Sequence, residues 1–414
     1  MYRALIYFLF ATIPFWHLKI GPHITVYEVG LLVNLMVAPF FHFQARNRFR
    51  RLDVLVLIYA FYGVVSVAVG SDNLYESART YRYLTLGPVL LYFIIRFTPS
   101  SYEVLRRGLY FMAAGILLQA LIVLQFFITF RARPTGEAWE LFPMSDLVAS
   151  IVTFGVLCSL GVCALIYTRD GVKAAFMKAI LYGSALLIAA GMLAAVSRMV
   201  VVTFVLLFPL AGWIWATRQR RRRLAVAVHV AVGSMLLAMF SPLAWEQSPR
   251  GAQTTNSEQR LEEGRSLDRV INVDLYQDDA IARLTFWGNL VRSAMDDPVL
   301  GKGTASYEIG MEGRYGMYIS SAHNALVSAL YTSGFIGLVL LIMLIAAGYK
   351  SLSVVPADNK QRAAMGKFVM VGLTIVLFVS LTNDLTAGRG NIFMLLLALG
   401  AKLAYSPQPS TRRA

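Results

Sequence analysis

The sequence predicts an all-α fold: a polytopic transmembrane bundle of about twelve spans carrying a small helical cap on one face. Three observations predict it. Of the 414 residues 57% are hydrophobic and only 15% charged, against about 25% charged in ordinary soluble domains. Apolar stretches of about 20 residues, the length that crosses a hydrocarbon core of roughly 30 Å, recur along nearly the whole chain. The densest basic clusters fall between apolar runs on alternate connections, as the positive-inside rule expects of cytoplasmic loops.

The spans follow in order. The first, 3–20, opens as MYRALIYFLFATIPFW. One positive charge before an apolar stretch resembles a signal peptide, but no convincing small-x-small cleavage site follows, so it reads as a retained helix interrupted at Pro14. Spans 24–44 and 52–70 flank RNRFRR at 46–51, and a short fourth covers 83–98. Spans 108–130 and 147–168 come next. The second holds both cysteines, Cys158 and Cys163, whose spacing does not put them on one helix face. Core packing is the expectation there, with neither disulfide nor metal.

Spans 179–196 and 199–217 meet at the tight junction AAVSRMVVV, which contains Arg198. RQRRRR at 218–223 precedes span 224–245. The last three spans are 323–348, 367–385 and 391–405, with Lys350, Lys360 and Arg362 between the first two and Arg412 and Arg413 in the tail. With the basic clusters inside, both termini are cytoplasmic. The same placement turns a net charge of +15 into topology anchors, and no nucleic-acid partner is expected.

The chain therefore divides into helices one to nine over 1–245, a long loop over 246–322, helices ten to twelve over 323–405, and a tail over 406–414. Loops as long as the second piece are rarely without function. Its segment EQRLEEGRSLDRVINVDLY and the stretch Leu284 to Met295 both show helical spacing of apolar residues, which makes it a helical cap on the non-cytoplasmic side.

An ionisable residue at the lip of a span is costly, roughly 2.5–3.5 kcal/mol for Arg at a helix centre, and so tends to mark a site. On the outer side few residues qualify. They are Arg198; Arg283 in RLTFWGN; His323 and Asn324, which open the tenth span; and Arg389 in the short TAGRGN connection near Asn383 and Asp384. Each also has a plainer role: Arg198 could snorkel to lipid phosphate, Arg283 could pair with Asp278 or Asp279, His323 could merely start a helix, and Asn383 and Asp384 could cap one.

Taken together, arginines and one imidazole suit a phosphate-bearing donor. Guanidinium groups bind phosphate through paired charge-assisted hydrogen bonds, and neutral imidazole can take a proton from an attacking hydroxyl near pH 7. No Asp-x-Asp occurs, and Asp296-Asp297 before Pro298 reads as a loop turn, so no metal and no cofactor are expected.

The order of SRMVVVTF, then a long loop with RLTFWGN and PVLGKG, then HNALVSALYTSGFIG resembles the O-antigen ligase and polymerase superfamily. The ligase pattern is His, then Asn, Ser or Gln, then nine residues, then Gly-x-x-Gly; His323, Asn324, Gly334 and Gly337 match it without a gap. The resemblance implies a membrane glycosyltransferase of GT-C type in a bacterial inner membrane, with its site facing the periplasm. It would move a glycan from undecaprenyl pyrophosphate to a sugar hydroxyl of lipid A-core, inverting and without metal. Carried onto this chain, Arg198 and Arg283 contact the pyrophosphate, His323 activates the acceptor, and Asn324 supports the site with Arg389 as a further binding residue. Gly334 and Gly337 would let a neighbouring helix approach closely.

Two rivals remain at the level of sequence. Arg292 to Gly303 is one Arg-x10-Gly match, a pattern associated with the polymerases of the same superfamily. A transporter would need inverted repeats with broken helices, and no convincing internal duplication appears.

Overall fold

The computed structural model describes residues 2–20, 24–37, 49–69, 74–98, 101–130, 134, 137–168, 172, 174–195, 287–288, 290–303, 324–355, 360–380 and 387–405. Among them every regular element is helical, and the isolated bridge between Lys19 and Thr25 is the only β pairing.

Ten of the twelve expected spans coincide with described helices. They are α1 (Tyr2–Thr12), α2 (Val26–Val37), α3 (Arg51–Val69), the pair α4 (Leu74–Tyr81) and α5 (Gly87–Phe97), α6 (Tyr102–Phe130), α8 (Ile151–Tyr167), α9 (Ala175–Ala194), α10 (Ala325–Ser353), α11 (Lys360–Ser380) and α12 (Ala387–Tyr405). A single turn, α7 (Glu137–Glu140), lies before α8. Spans 199–217 and 224–245, most of the long loop and the tail fall outside the described residues. Among the described residues five helices are long and apolar enough to cross a membrane: Arg51–Ala68, Tyr102–Phe130, Ala175–Ala194, Ala325–Ser353 and Gln361–Ser380.

The boundaries move for identifiable reasons. α1 stops at Thr12, and a 3₁₀ turn over Ile13–Phe15 takes up Pro14, whose ring cannot continue an α-helix interior without loss of a backbone bond. The fourth span begins well before residue 83, because α4 runs through a π-helical turn, Arg82–Leu86, into α5 with Pro88 in its first turn. The TAGRGN segment is also corrected: Ala387, Gly388, Arg389 and Gly390 form the first turn of α12 rather than a connection. Burial overrides the poor helix propensity of two glycines there, since residues 389–403 of α12 are all buried.

α12 and α8 are the axial helices. α8 is buried from Thr153 to Leu165 without a break, as expected of a helix that is apolar all round. Cys158 and Cys163 are buried and unbridged within it, as the spacing predicted. α6, α9 and α11 pack around α8, while α5, α10 and α11 pack on α12. Where α9 crosses α6, Gly191 leaves no room for a Cβ, which would lie 2.7 Å from Ala120 Cβ. Small residues allow such contact between membrane helices, where packing supplies the association energy. The outer faces carry exposed apolar side chains at helical spacing, among them Leu57, Phe61 and Val64 on α3 and Phe335, Val339 and Ile342 on α10.

One end of the bundle is knitted together by charge. Asp53 and Arg96 are almost fully buried, with Arg96 Nε 3.1 Å from Asp53 Oδ1. Tyr92 donates its hydroxyl to the same oxygen at 2.7 Å, and the Arg50 amide donates to Asp53 Oδ2 at 2.8 Å. Lys402, near the end of α12, donates to the Ile95 carbonyl at 3.1 Å and to that of Thr98, and Arg362 Nε donates to the Leu403 carbonyl at 2.7 Å. These bonds satisfy carbonyls that a helix C-terminus leaves without an internal partner. The ends of α5 and α12 and the starts of α3 and α11 thus lie in one layer, called here the basic end.

Candidate functional site

At the opposite end the starts of α2 and α12 meet the π-helical turn, and α10, whose last turns lie beside the end of α12, begins on this side. Arg389 stands in the first turn of α12 and is buried. Two residues later Asn391 accepts the Tyr27 hydroxyl at 3.0 Å, and α12 packs on the turn Arg82–Leu86. Next to Tyr27, Glu28 accepts the Thr25 amide at 2.8 Å, closing the first turn of α2, and pairs with Arg82 Nε at 3.2 Å. The Arg82 guanidinium lies 4.5 Å from the centre of the Tyr83 ring. Arg389 is thus buried at the end of the bundle that also carries the Arg82–Glu28 pair.

Asn324 is the N-cap of α10. Its backbone is extended (φ −156°, ψ 117°), and Oδ1 accepts from the Leu326 and Val327 amides at 2.9 and 3.2 Å. That spacing satisfies two of the amides a helix start leaves open. The cap fixes where the helix begins. His323, Arg198, Arg283, Asn383 and Asp384 lie outside the described residues.

α10 has 29 residues, about 44 Å at 1.5 Å per residue, longer than the roughly 30 Å hydrocarbon core. It is broken at Gly334, where φ is 60° and ψ −166°, a region open essentially to glycine alone. The inner part runs beside α12: a Cβ on Gly348 would meet Leu397, and one on Gly400 would meet Leu352 and Ser351. The outer part, residues 325–333, carries the cap.

What approaches Gly334 is a loop, which corrects the expectation of a close helix contact there. A Cβ on Gly334 would sit 2.3 Å from the Val299 carbonyl oxygen, and one on Gly301 would sit 2.5 Å from the Gly334 amide. The segment DDPVLGKG, 296–303, inserts its backbone at the break. The Lys302 and Gly303 amides donate to the Tyr331 and Thr332 carbonyls at 2.8 and 3.0 Å, and the Phe335 amide donates to the Pro298 carbonyl at 2.8 Å. Gly301 and Gly303 take φ of 76° and 87° to make this possible. At Gly337 a Cβ would lie 2.2 Å from Ser333 Cβ and 3.4 Å from the Tyr62 ring of α3, so the second glycine clears the side chain displaced by the kink.

Lys302 pins the loop to itself, with Asp296 at 3.5 Å and Asp297 closer. Burial by itself would pull its pKa down, but the two carboxylates outweigh burial and raise it above the ordinary lysine value. Ahead of the loop, residues 290–294 are helical, within the stretch read as amphipathic, and Leu290 and Ala294 pack against Leu330 and Tyr331 of α10. Arg292 is exposed on that helix while Gly303 is buried at the break. Gly334→Ala is expected to lower the thermal unfolding midpoint of the solubilised protein, with strain alone worth about 1–3 kcal/mol; a midpoint equal to wild type would show that the break relaxes freely.

The structure thus joins Asn324, Gly334, Gly337 and the 290–303 segment in one unit, with Arg389 on the neighbouring helix. Tyr62 and Ser66 of α3, which hold the break, had no signal in the sequence beyond an apolar helix. The paired glycines of PVLGKG were the visible sign that its backbone must come close to something.

Among the described residues no cluster of His, Cys, Asp and Glu could hold a metal ion. Residues 183–342 match a family model described as O-antigen ligase. The match runs from α9 to the inner part of α10, taking in Arg198, Arg283, His323, Asn324, Gly334 and Gly337 and ending before Arg389. No curated protein matches the chain.

Proposed function

We propose, from the match of residues 183–342 to the O-antigen ligase family model, that the protein transfers a glycan from undecaprenyl pyrophosphate to a sugar hydroxyl of lipid A-core. The observation that carries this is the ungapped set His323, Asn324, Gly334 and Gly337 inside the matched stretch, with the cap and the break placing Asn324 and Gly334 at the two ends of one helix segment.

In the reaction the acceptor oxygen attacks the anomeric carbon opposite the carrier. The bond from that carbon to the pyrophosphate oxygen breaks, and the diphosphate leaves with the electron pair. His323 takes the acceptor's proton as general base. Arg198 and Arg283 hold the diphosphate and stabilise the charge that grows on it, and Arg389 adds a cation at the same end. Attack from the far side inverts the anomeric centre, and guanidinium groups take the role a metal would otherwise fill. The basic end faces the cytoplasm of a bacterial inner membrane, so the site opens to the periplasm in a GT-C-like arrangement.

The test is direct: purified protein in lipid vesicles, supplied with carrier-linked glycan and lipid A-core, yields a joined product and free undecaprenyl pyrophosphate. The Arg292 to Gly303 spacing favours one second reading, a polymerase whose acceptor is another carrier-linked glycan. Lengthened carrier-linked glycan with lipid A-core left bare is the outcome that selects it.

A further inference from the structure

The broken turn of α10 is held from two sides, and one of them is α3. In an unbroken helix the carbonyls of Tyr331, Thr332 and Ser333 would face amides of the next turn. Here each accepts a bond from outside the helix. The loop amides of Lys302 and Gly303 reach the first two, the Ser66 hydroxyl also reaches Thr332 at 3.2 Å, and the Tyr62 hydroxyl reaches Ser333 at 2.7 Å. Kinks of this size need an identifiable cause, and a break with freed carbonyls at the edge of an apolar helix needs polar partners. α3 is otherwise apolar along this stretch, which makes two hydroxyls one turn apart, both aimed at the break, the polar feature of its face.

The consequence is mechanical. The outer part of α10 carries the Asn324 cap at its far end, nine residues from Ser333, a lever of about 14 Å. The helical stretch 290–294, within the long loop, rides on it through Leu290 and Ala294. The loop bonds both the outer part, at Tyr331 and Thr332, and the inner part, at Phe335, so it clamps the break from within the α10 unit. α3 is not part of it: Arg96 and Tyr92 hold Asp53 in its first turn at the basic end.

We infer that Tyr62 is a positioning residue for transfer, its hydroxyl on the Ser333 carbonyl setting the angle at which the outer part of α10 presents the His323-Asn324 start to the carrier. Ser66 supports the same turn. The inference rests on the reaction proposed above, and it touches no reacting atom.

Tyr62→Phe removes the hydroxyl and keeps the ring against Gly337. In the full-length protein in vesicles, its turnover number is expected to fall about tenfold, since ångström-scale misplacement of reacting groups costs up to about a hundredfold. KM for the carrier-linked glycan and for the acceptor stays within about twofold, because no substrate contact is lost. Tyr62→Phe with Ser66→Ala lowers turnover further. A second readout is independent of activity: spin labels at Ala329→Cys and Ala346→Cys bracket the break, about 25 Å apart along a straight helix. The native cysteines are buried and stay unlabelled. The wild-type distance distribution is expected to be narrow, and Tyr62→Phe to shift or broaden it.

Unchanged turnover, or a raised KM at constant turnover, overturns the positioning role, as does an unmoved distance distribution. If the wild-type protein transfers no glycan, the proposed reaction falls, and the distance measurement alone decides whether Tyr62 sets the break.

Discussion

His323→Ala protein is expected to insert and fold as the wild type does, yet to join no detectable glycan to lipid A-core. A positioned general base contributes about 10²–10⁴-fold, and the described side chains at that end that could accept a proton are already engaged: the Asn324 oxygen caps the helix, Glu28 is tied to Arg82 and to the Thr25 amide, and Asp296 and Asp297 pair with Lys302. Arg283→Ala is expected to be as damaging, because losing one preorganised cation from the leaving diphosphate costs about 10²–10³-fold. The measurement is product per inserted molecule, by complementation gel and with purified protein. The two variants separate in their pH response, since only His323 must be neutral to act: wild-type activity falls as imidazole is protonated, and residual activity in His323→Ala does not follow that step. Glycan transfer retained by either variant contradicts the assigned role.

The second large effect is on stability. Arg96→Met is expected to destabilise the protein by about 3–5 kcal/mol, the cost of leaving one member of a buried ion pair without the other. Asp53 is wholly buried, and its carboxylate would keep the Tyr92 hydroxyl and the Arg50 amide but lose its cation. Adding Asp53→Asn keeps one accepting oxygen for the Arg50 amide, turns an amide NH2 toward the Tyr92 hydroxyl, which can accept it, and removes the charge, so the double variant is expected to recover part of the loss. A thermal or denaturant midpoint on the purified protein reads both, and the double-mutant cycle isolates the coupling. An Arg96→Met protein as stable as wild type would mean that water reaches the pair. The expectation matters for function because α3 carries both this pair, in its first turn, and Tyr62 and Ser66 further along.

Much of the architecture was legible in the residue order. Apolar runs of bilayer length predicted ten helices that the structure describes, since in a hydrocarbon medium backbone groups must bond within their own segment and composition alone nearly dictates the element. The motif from His323 to Gly337 likewise stood in plain view, because its residues are close in sequence. Ends were less legible. Arg389 read as part of a loop because two glycines flank it, and only the neighbours that bury α12 make it helical. Gly334 read as a helix-packing glycine, because spacing cannot distinguish a missing Cβ that admits a helix from one that permits a positive φ.

The sequence by itself determined that the chain is a membrane bundle and which of its ends is basic, and it supplied the residues of the matched stretch that we propose hold a diphosphate and move a proton. These are properties of composition and short-range order. Only the tertiary structure decided that α10 is broken, that the loop 296–303 fills the break, and that hydroxyls 271 and 266 residues away in sequence hold it. The physical reason is that backbone carbonyls must find partners wherever a helix opens, and which hydroxyl or amide answers depends on packing between segments that no local pattern records.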